Sequence, residues 1–102
     1  MDQKAFLNKI KAKVLKEDAG ASLILFGSRA RGDFREDSDW DLLVLTSKAL
    51  DYKWKRKIRD DIYDVELEFE EPVSTIILER EKWNSYSYTP LYGNVIHDGR
   101  EL

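Results

Sequence analysis

The chain holds 102 residues, 42% of them hydrophobic and 36% charged, with a net charge of −3. That length supports one core, so a single domain over residues 1–102 is expected. The acidic balance argues against a general nucleic-acid binder, the lack of cysteine excludes disulfides and zinc–thiolate sites, and one histidine, His97, cannot build a multi-histidine metal centre.

Any metal must therefore be held by oxygen, which favours magnesium or manganese. No apolar run is long enough to cross a bilayer, and the opening MDQKAFLNK has no signal-peptide core, so a cytoplasmic protein is expected.

Residues 3–17 read as an amphipathic helix, with Phe6, Leu7, Ile10, Val14 and Leu15 at helical spacing. Asp2 is placed to cap its start and Gly20 to stop it. Residues 22–26 (SLILF) form a continuous apolar run before a glycine, the pattern of a buried strand. Residues 27–32 hold two glycines around Ser28, Arg29, Ala30 and Arg31, a turn with one short helical turn. Residues 33–38 are loop, with Ser38 expected to cap the turn before the next strand, residues 39–45.

Within residues 50–70, Trp54, Ile58, Ile62, Val65 and Phe69 recur at steps of four, four, three and four, which predicts a helix to about residue 68. Its charges oppose the macrodipole: Lys53, Lys55, Arg56, Lys57 and Arg59 come first and the acids later. Such a helix needs tertiary packing or a charged neighbour. Pro72 ends the segment, and residues 73–78 (VSTIIL) are a β-branched third strand. Residues 79–85 suggest a short helix carrying Trp83, and Thr89-Pro90 opens a last helix with Gly99 beyond its end. The resulting order, α-β-β-α-β-α-α, is an α/β (α+β) fold: a small mixed sheet flanked by helices.

Asp39 and Asp41 are two residues apart on a strand, so they share a face about 7 Å apart along the backbone. Two such carboxylates repel unless a positive charge sits between them, and a divalent cation supplies it. The Gly27-Ser28 turn offers close backbone approach, a hydroxyl and N–H donors, all suited to phosphate oxygens. Arg29 and Arg31 flank that turn; their forked guanidinium groups suit phosphate, or else pair with Asp33, Glu36 or Asp37.

The segment GSRARGDFREDSDWD, Gly-Ser, ten residues and then Asp-x-Asp, closely resembles the signature of the DNA polymerase β-like nucleotidyltransferases, and of the minimal nucleotidyltransferases in particular. The resemblance implies that Gly27 and Ser28 hold the terminal phosphates of ATP or another nucleoside triphosphate. It implies that Asp39 and Asp41 bind catalytic Mg2+ or Mn2+, and that a nucleoside monophosphate passes to a hydroxyl acceptor with release of pyrophosphate. Members of this kind pair with HEPN-type toxins as antitoxins, so AMP transfer to such a partner protein is the expected function, with a homo- or hetero-oligomer possible.

One departure bears on activity. Fully active members commonly carry a third carboxylate on a later strand, and the aligned position here is Ser74, a weak neutral ligand and a poor base. Glu66, Glu68 or Glu70 could substitute if residues 65–70 were a strand. The alternative function is a catalytically impaired antitoxin or regulatory subunit that binds nucleotide or partner. The remaining candidates are read as scaffold or surface: Trp40, Trp54 and Trp83 as packing, Tyr86, Tyr88 and Tyr92 as an aromatic tail, His97 as a surface residue, and the basic half of residues 53–59 as a solvated face or a docking surface.

Overall fold

The computed structural model describes residues 2–102. The first helix, α1 (Gln3–Glu17), begins where the Asp2 carboxylate accepts the Ala5 N–H at 3.1 Å. Phe6, Ile10 and Val14 recur every four residues along it and are buried. The helix does not run on to Gly20. Asp18 takes up extended geometry, φ −148° and ψ 96°, and buries its side chain. Its carboxylate there accepts the N–H groups of Gly20 and Ser47 and the Ser47 hydroxyl. A charged acceptor with three donors stops the helix, where glycine was expected to.

Burial alone would raise the pKa of Asp18, but the donors from Ser47 and Gly20 and the nearby Lys48 charge outweigh it and hold the carboxyl below its ordinary value. The contribution to stability is therefore complete above the unfolded pKa of about 3.9 and is lost as pH falls through the lower folded value. We expect Asp18→Ala to cost about 2 kcal/mol at neutral pH. Urea denaturation should show the gap between variant and wild type closing below about pH 4.

Strand β1 (Ser22–Phe26) pairs antiparallel with β2 (Trp40–Thr46), with Phe26 opposite Asp41. Between them lies a single helical turn, α2 (Ser28–Arg31). The long helix α3 (Tyr52–Phe69) then crosses over, so that β3 (Val73–Glu79) runs parallel to β2 with Ser74 beside Asp41. A 3₁₀ helix over Arg80–Tyr86 carries Trp83, as its short-helix pattern suggests. Helix α4 (Pro90–Asp98) starts at Thr89, whose hydroxyl accepts the Tyr92 N–H.

The chain closes with β4 (Arg100–Glu101), antiparallel to β1, giving a mixed sheet of order β3-β2-β1-β4. The expected element order thus gains one strand. Arg100 and Glu101 are both exposed, and so short a segment leaves no hydrophobic alternation to read.

Alternation along the strands divides the core. Leu23, Leu25, Trp40, Leu42, Val44 and Ile77 face α1 and α3, where Phe6 meets Trp40 and Phe69 with ring centroids 5.3 and 5.4 Å apart. Phe26, Leu43 and Leu45 face the opposite side, against Val95 of α4 and Trp83. Helix α3 is held by buried Ile58, Ile62 and Val65 and tied to α1 by Lys57–Glu17 at 3.3 Å and Lys9–Glu68 at 2.6 Å. Those are the packing and charged neighbours that its unfavourable charge order requires. Asp41 lies on the α4 side at the start of β2 and is half-buried.

Candidate functional site

The site begins where β1 runs out. Gly27 has φ 75° and ψ −160°, a region that essentially only glycine occupies. A Cβ at Gly27 would also collide with the Asp41 carboxylate. The glycine is therefore required twice, once by its backbone and once by the neighbouring strand. Its carbonyl accepts the N–H groups of Ala30 and Arg31, both at 3.0 Å, which winds α2. Gly32 ends that turn in the left-handed region at φ 91°. The Ser28 and Arg29 N–H groups, at the head of the turn, have no helical acceptor.

Facing this turn is an open cleft of about 840 Å³. Gly27, Ser28, Arg31 and Asp41 line it on one side, Arg59 of α3 and Ser74 and Thr75 of β3 on another, and Asn94 and Asp98 of α4 on a third. Asp39 stands exposed beside it, close enough for the Ser74 hydroxyl to donate to its carboxylate at 3.4 Å. Burial pushes the Asp41 pKa above its ordinary value, the Asp39 charge adds to that, and Arg31 opposes both.

Two carboxylates that raise each other's energy suit a divalent cation, which relieves both. Magnesium commonly takes only one or two protein carboxylates and fills its other positions with water and phosphate oxygens. The Asp39–Asp41 pair fits that demand. Among the described residues, no third histidine, cysteine or acid joins a cluster able to hold a metal. Residues 65–69 are helical, so the strand that would have brought Glu66, Glu68 or Glu70 across is not formed. Glu66 instead accepts the Val73 N–H at 2.7 Å, and Glu68 pairs with Lys9.

The two arginines of the turn part company. Arg31 lines the cleft, with Nη1 donating to Asp98 at 2.7 Å and Nε to Asp33 at 3.2 Å. Arg29 turns away and is 7% exposed. Its guanidinium lies over the rings of Phe34 and Trp40, at 4.2 and 4.6 Å, and donates to the carbonyls of Glu36 and Ser38. It pins loop 33–38 against the sheet, and the structure does not bring it to the cleft with Gly27, Ser28, Arg31 and Asp41. The Ser38 hydroxyl accepts the Arg35 N–H at 2.9 Å and caps the turn as expected.

Arg59, Asn94 and Asp98 were not legible as cleft residues. Arg59 read as one of several solvated cations on a basic helix, and only the packing of α3 against β3 shows which of them turns inward, donating to the Thr75 carbonyl at 3.0 Å.

A family model described as "Polymerase beta, Nucleotidyltransferase" matches residues 8–100. The protein named "Putative protein adenylyltransferase" of Methanocaldococcus jannaschii is 31% identical over 99 residues, covering 97% of this chain and 92% of its own. A crystallised toxin–antitoxin with AMP-PNP superposes with a TM-score of 0.66 at 22% identity, over 92% of this chain and 69% of that one. A mutant of the toxin–antitoxin pair MntA-HpeT superposes with a TM-score of 0.64 at 19% identity, with the same coverage. At these identities the two structures speak to the fold alone.

Proposed function

Because this chain belongs to the polymerase-beta nucleotidyltransferase family, we propose that its cleft binds a Mg–nucleoside triphosphate, ATP by preference, and transfers the nucleoside monophosphate to a hydroxyl of a partner protein. The observation that carries this reading is the meeting of Gly27 with Asp41: a turn open to phosphate lies against a carboxylate that burial and Asp39 hold above its ordinary pKa. The relative named for protein adenylyl transfer supports the choice of AMP and of a protein acceptor. The cleft is open, which leaves room for an acceptor protein to bring its own surface to it.

In this reading Ser28 donates its hydroxyl, with the N–H groups of the turn, to the terminal phosphates. Arg31, at the end of the same turn, neutralises phosphate charge and exchanges part of its contact with Asp33 or Asp98 to do so. Asp39 and Asp41 would hold Mg2+, which when bound supplies charge stabilisation to the attacking and leaving oxygens. The acceptor oxygen forms its bond to the α-phosphorus, the bond from that phosphorus to the bridging oxygen breaks, pyrophosphate departs, and the acceptor proton is released to solvent. Ser74 provides no base for that proton, so its loss depends on the acceptor and on water.

The toxin–antitoxin neighbours support a toxin as the protein partner, and the resemblance of the Gly-Ser and Asp-x-Asp signature points to one of HEPN type. Intact-mass spectrometry of this protein with the product of the neighbouring gene, with and without Mg–ATP, tests the reading. A gain of AMP units on the partner only with Mg–ATP is the expected result. Ser74, facing Asp39 and Asp41 where a third acid would complete the site, favours a second reading in which the protein binds nucleotide and partner without transfer. A stable complex with no mass change would establish that one.

A further inference from the structure

One face of α3 is unlike the rest of the surface. Tyr52, Lys55, Arg56, Arg59 and Tyr63 stand at helical intervals that place them on one side. Tyr52, Lys55, Arg56, Arg59 and Asp60 line a shallow groove of about 370 Å³, three cations to one carboxylate, and Arg59 also lines the main cleft, so the groove runs into the cleft through that residue. Among the described residues, Lys55, Arg56 and Arg59 form no ion pair, whereas Lys57, turned toward α1, pairs with Glu17 and Asp61. Lys55 closes the first turn of a helix that has no acid there, where the macrodipole makes positive charge unfavourable. Folding gives no reason for Lys55 and Arg56, whereas Arg59 also ties α3 to the Thr75 carbonyl of β3. Tyr52 and Tyr63 bracket these cations and are 78% and 56% exposed.

We propose that this face docks an acidic segment of the acceptor protein and leads it into the cleft past Arg59. The proposal rests on the transfer reading above and names the kind of acceptor that it would take. Charge complementarity selects the occupant. From Lys55 to Arg59 the helix rises only about 6 Å, which two or three residues of an extended segment span. A nucleic-acid strand needs a run of cations longer than this patch, which carries the Asp60 carboxylate and gives way to Tyr63 and Glu66 in the next turn. Aromatic side chains beside the cations suit a protein interface, where tyrosine and arginine are enriched.

The test uses the whole protein and fluorescence anisotropy with three labelled probes: a short peptide of glutamates around one tyrosine, its glutamine counterpart, and a short oligouridylate. The glutamate peptide should bind at least about tenfold more tightly than the glutamine peptide, and weaken as salt rises. The Lys55→Gln/Arg56→Gln variant should lose about tenfold in affinity for it while melting like wild type, since neither side chain anchors the core. Reversing both charges, Lys55→Glu/Arg56→Glu, should transfer preference to a lysine peptide. Unchanged binding by either variant, or tighter binding of the oligouridylate than of the glutamate peptide, would overturn the proposal. A thermal shift by Mg–ATP without peptide binding would sink the docking face alone. Peptide binding without that shift would sink the nucleotide reading alone.

Discussion

Asp41→Asn should abolish nucleotidyl transfer and yet leave a protein at least as stable as wild type when divalent ions are chelated. Transfer should fall by at least about 10³-fold, equivalent to about 4 kcal/mol of transition-state stabilisation. The stability half follows from the opposite sign to that of Asp18. Burial and the Asp39 charge hold the folded Asp41 pKa above its unfolded value, so ionised Asp41 works against folding at neutral pH. That penalty applies above the folded pKa and disappears as pH falls to the unfolded value of about 3.9. Asparagine removes the charge and keeps the shape. In chelator at pH 7 the variant should melt at or slightly above the wild-type temperature, and the difference should vanish in acid. Mg–ATP should raise the melting temperature of wild type only. A variant that melts well below wild type in chelator would show Asp41 to be structural.

Gly27→Ala carries the second large effect. The alanine would occupy a backbone region closed to it, at about 1–3 kcal/mol, and its Cβ would strike the Asp41 carboxylate. We expect a loss of about 3 kcal/mol in total and no thermal shift with Mg–ATP. Gly32→Ala is the natural comparison. Gly32 also has positive φ, but a Cβ there meets nothing within 4 Å, so only the backbone cost of about 1 kcal/mol applies and nucleotide binding should persist. If the collision matters, Gly27→Ala in an Asp41→Ala background should cost less than in wild type, a coupling that a double-mutant cycle reads directly. Additive losses would assign the whole effect to the backbone.

Much of this could be read from the chain because its signals were local. The step-four pattern through Val65 and Phe69 outweighed the strand-like VELEF ending: Val65 is buried, and Phe69 packs on Phe6. Asp2, Asp51 and Thr89 each cap a helix by a side-chain oxygen; Asp2 and Thr89 were readable as such, for a cap needs only its own neighbours. The alignment of Ser74 with the acidic strand follows the parallel register that places it beside Asp41.

What was hidden depends on contacts across long sequence separations. Asp18 stops α1 because Ser47, 29 residues later, supplies two donors. Arg29 read as a phosphate contact because its type and place suited one. Its burial depends on Phe34 and Trp40 closing over it, and a sequence does not show which arginine of a pair a loop will cover. Arg59 and Asp98 enter the cleft from elements whose packing decides which of their residues face inward.

The way Arg29 holds its loop has a consequence for how this protein can vary. The guanidinium grips the carbonyl oxygens of Glu36 and Ser38, which any residue at those positions would present. The grip on these two carbonyls does not read the side chains that carry them, though Phe34 and Trp40 cover the guanidinium, and it depends on how many residues separate Arg29 from the acids. Within loop 33–38, Glu36 can therefore drift in identity while Phe34 and Ser38 are held by their side chains, whereas an inserted or deleted residue would move those carbonyls off the guanidinium and displace Asp39. Between the glycine turn and the carboxylates, the fold counts residues more strictly than it chooses them.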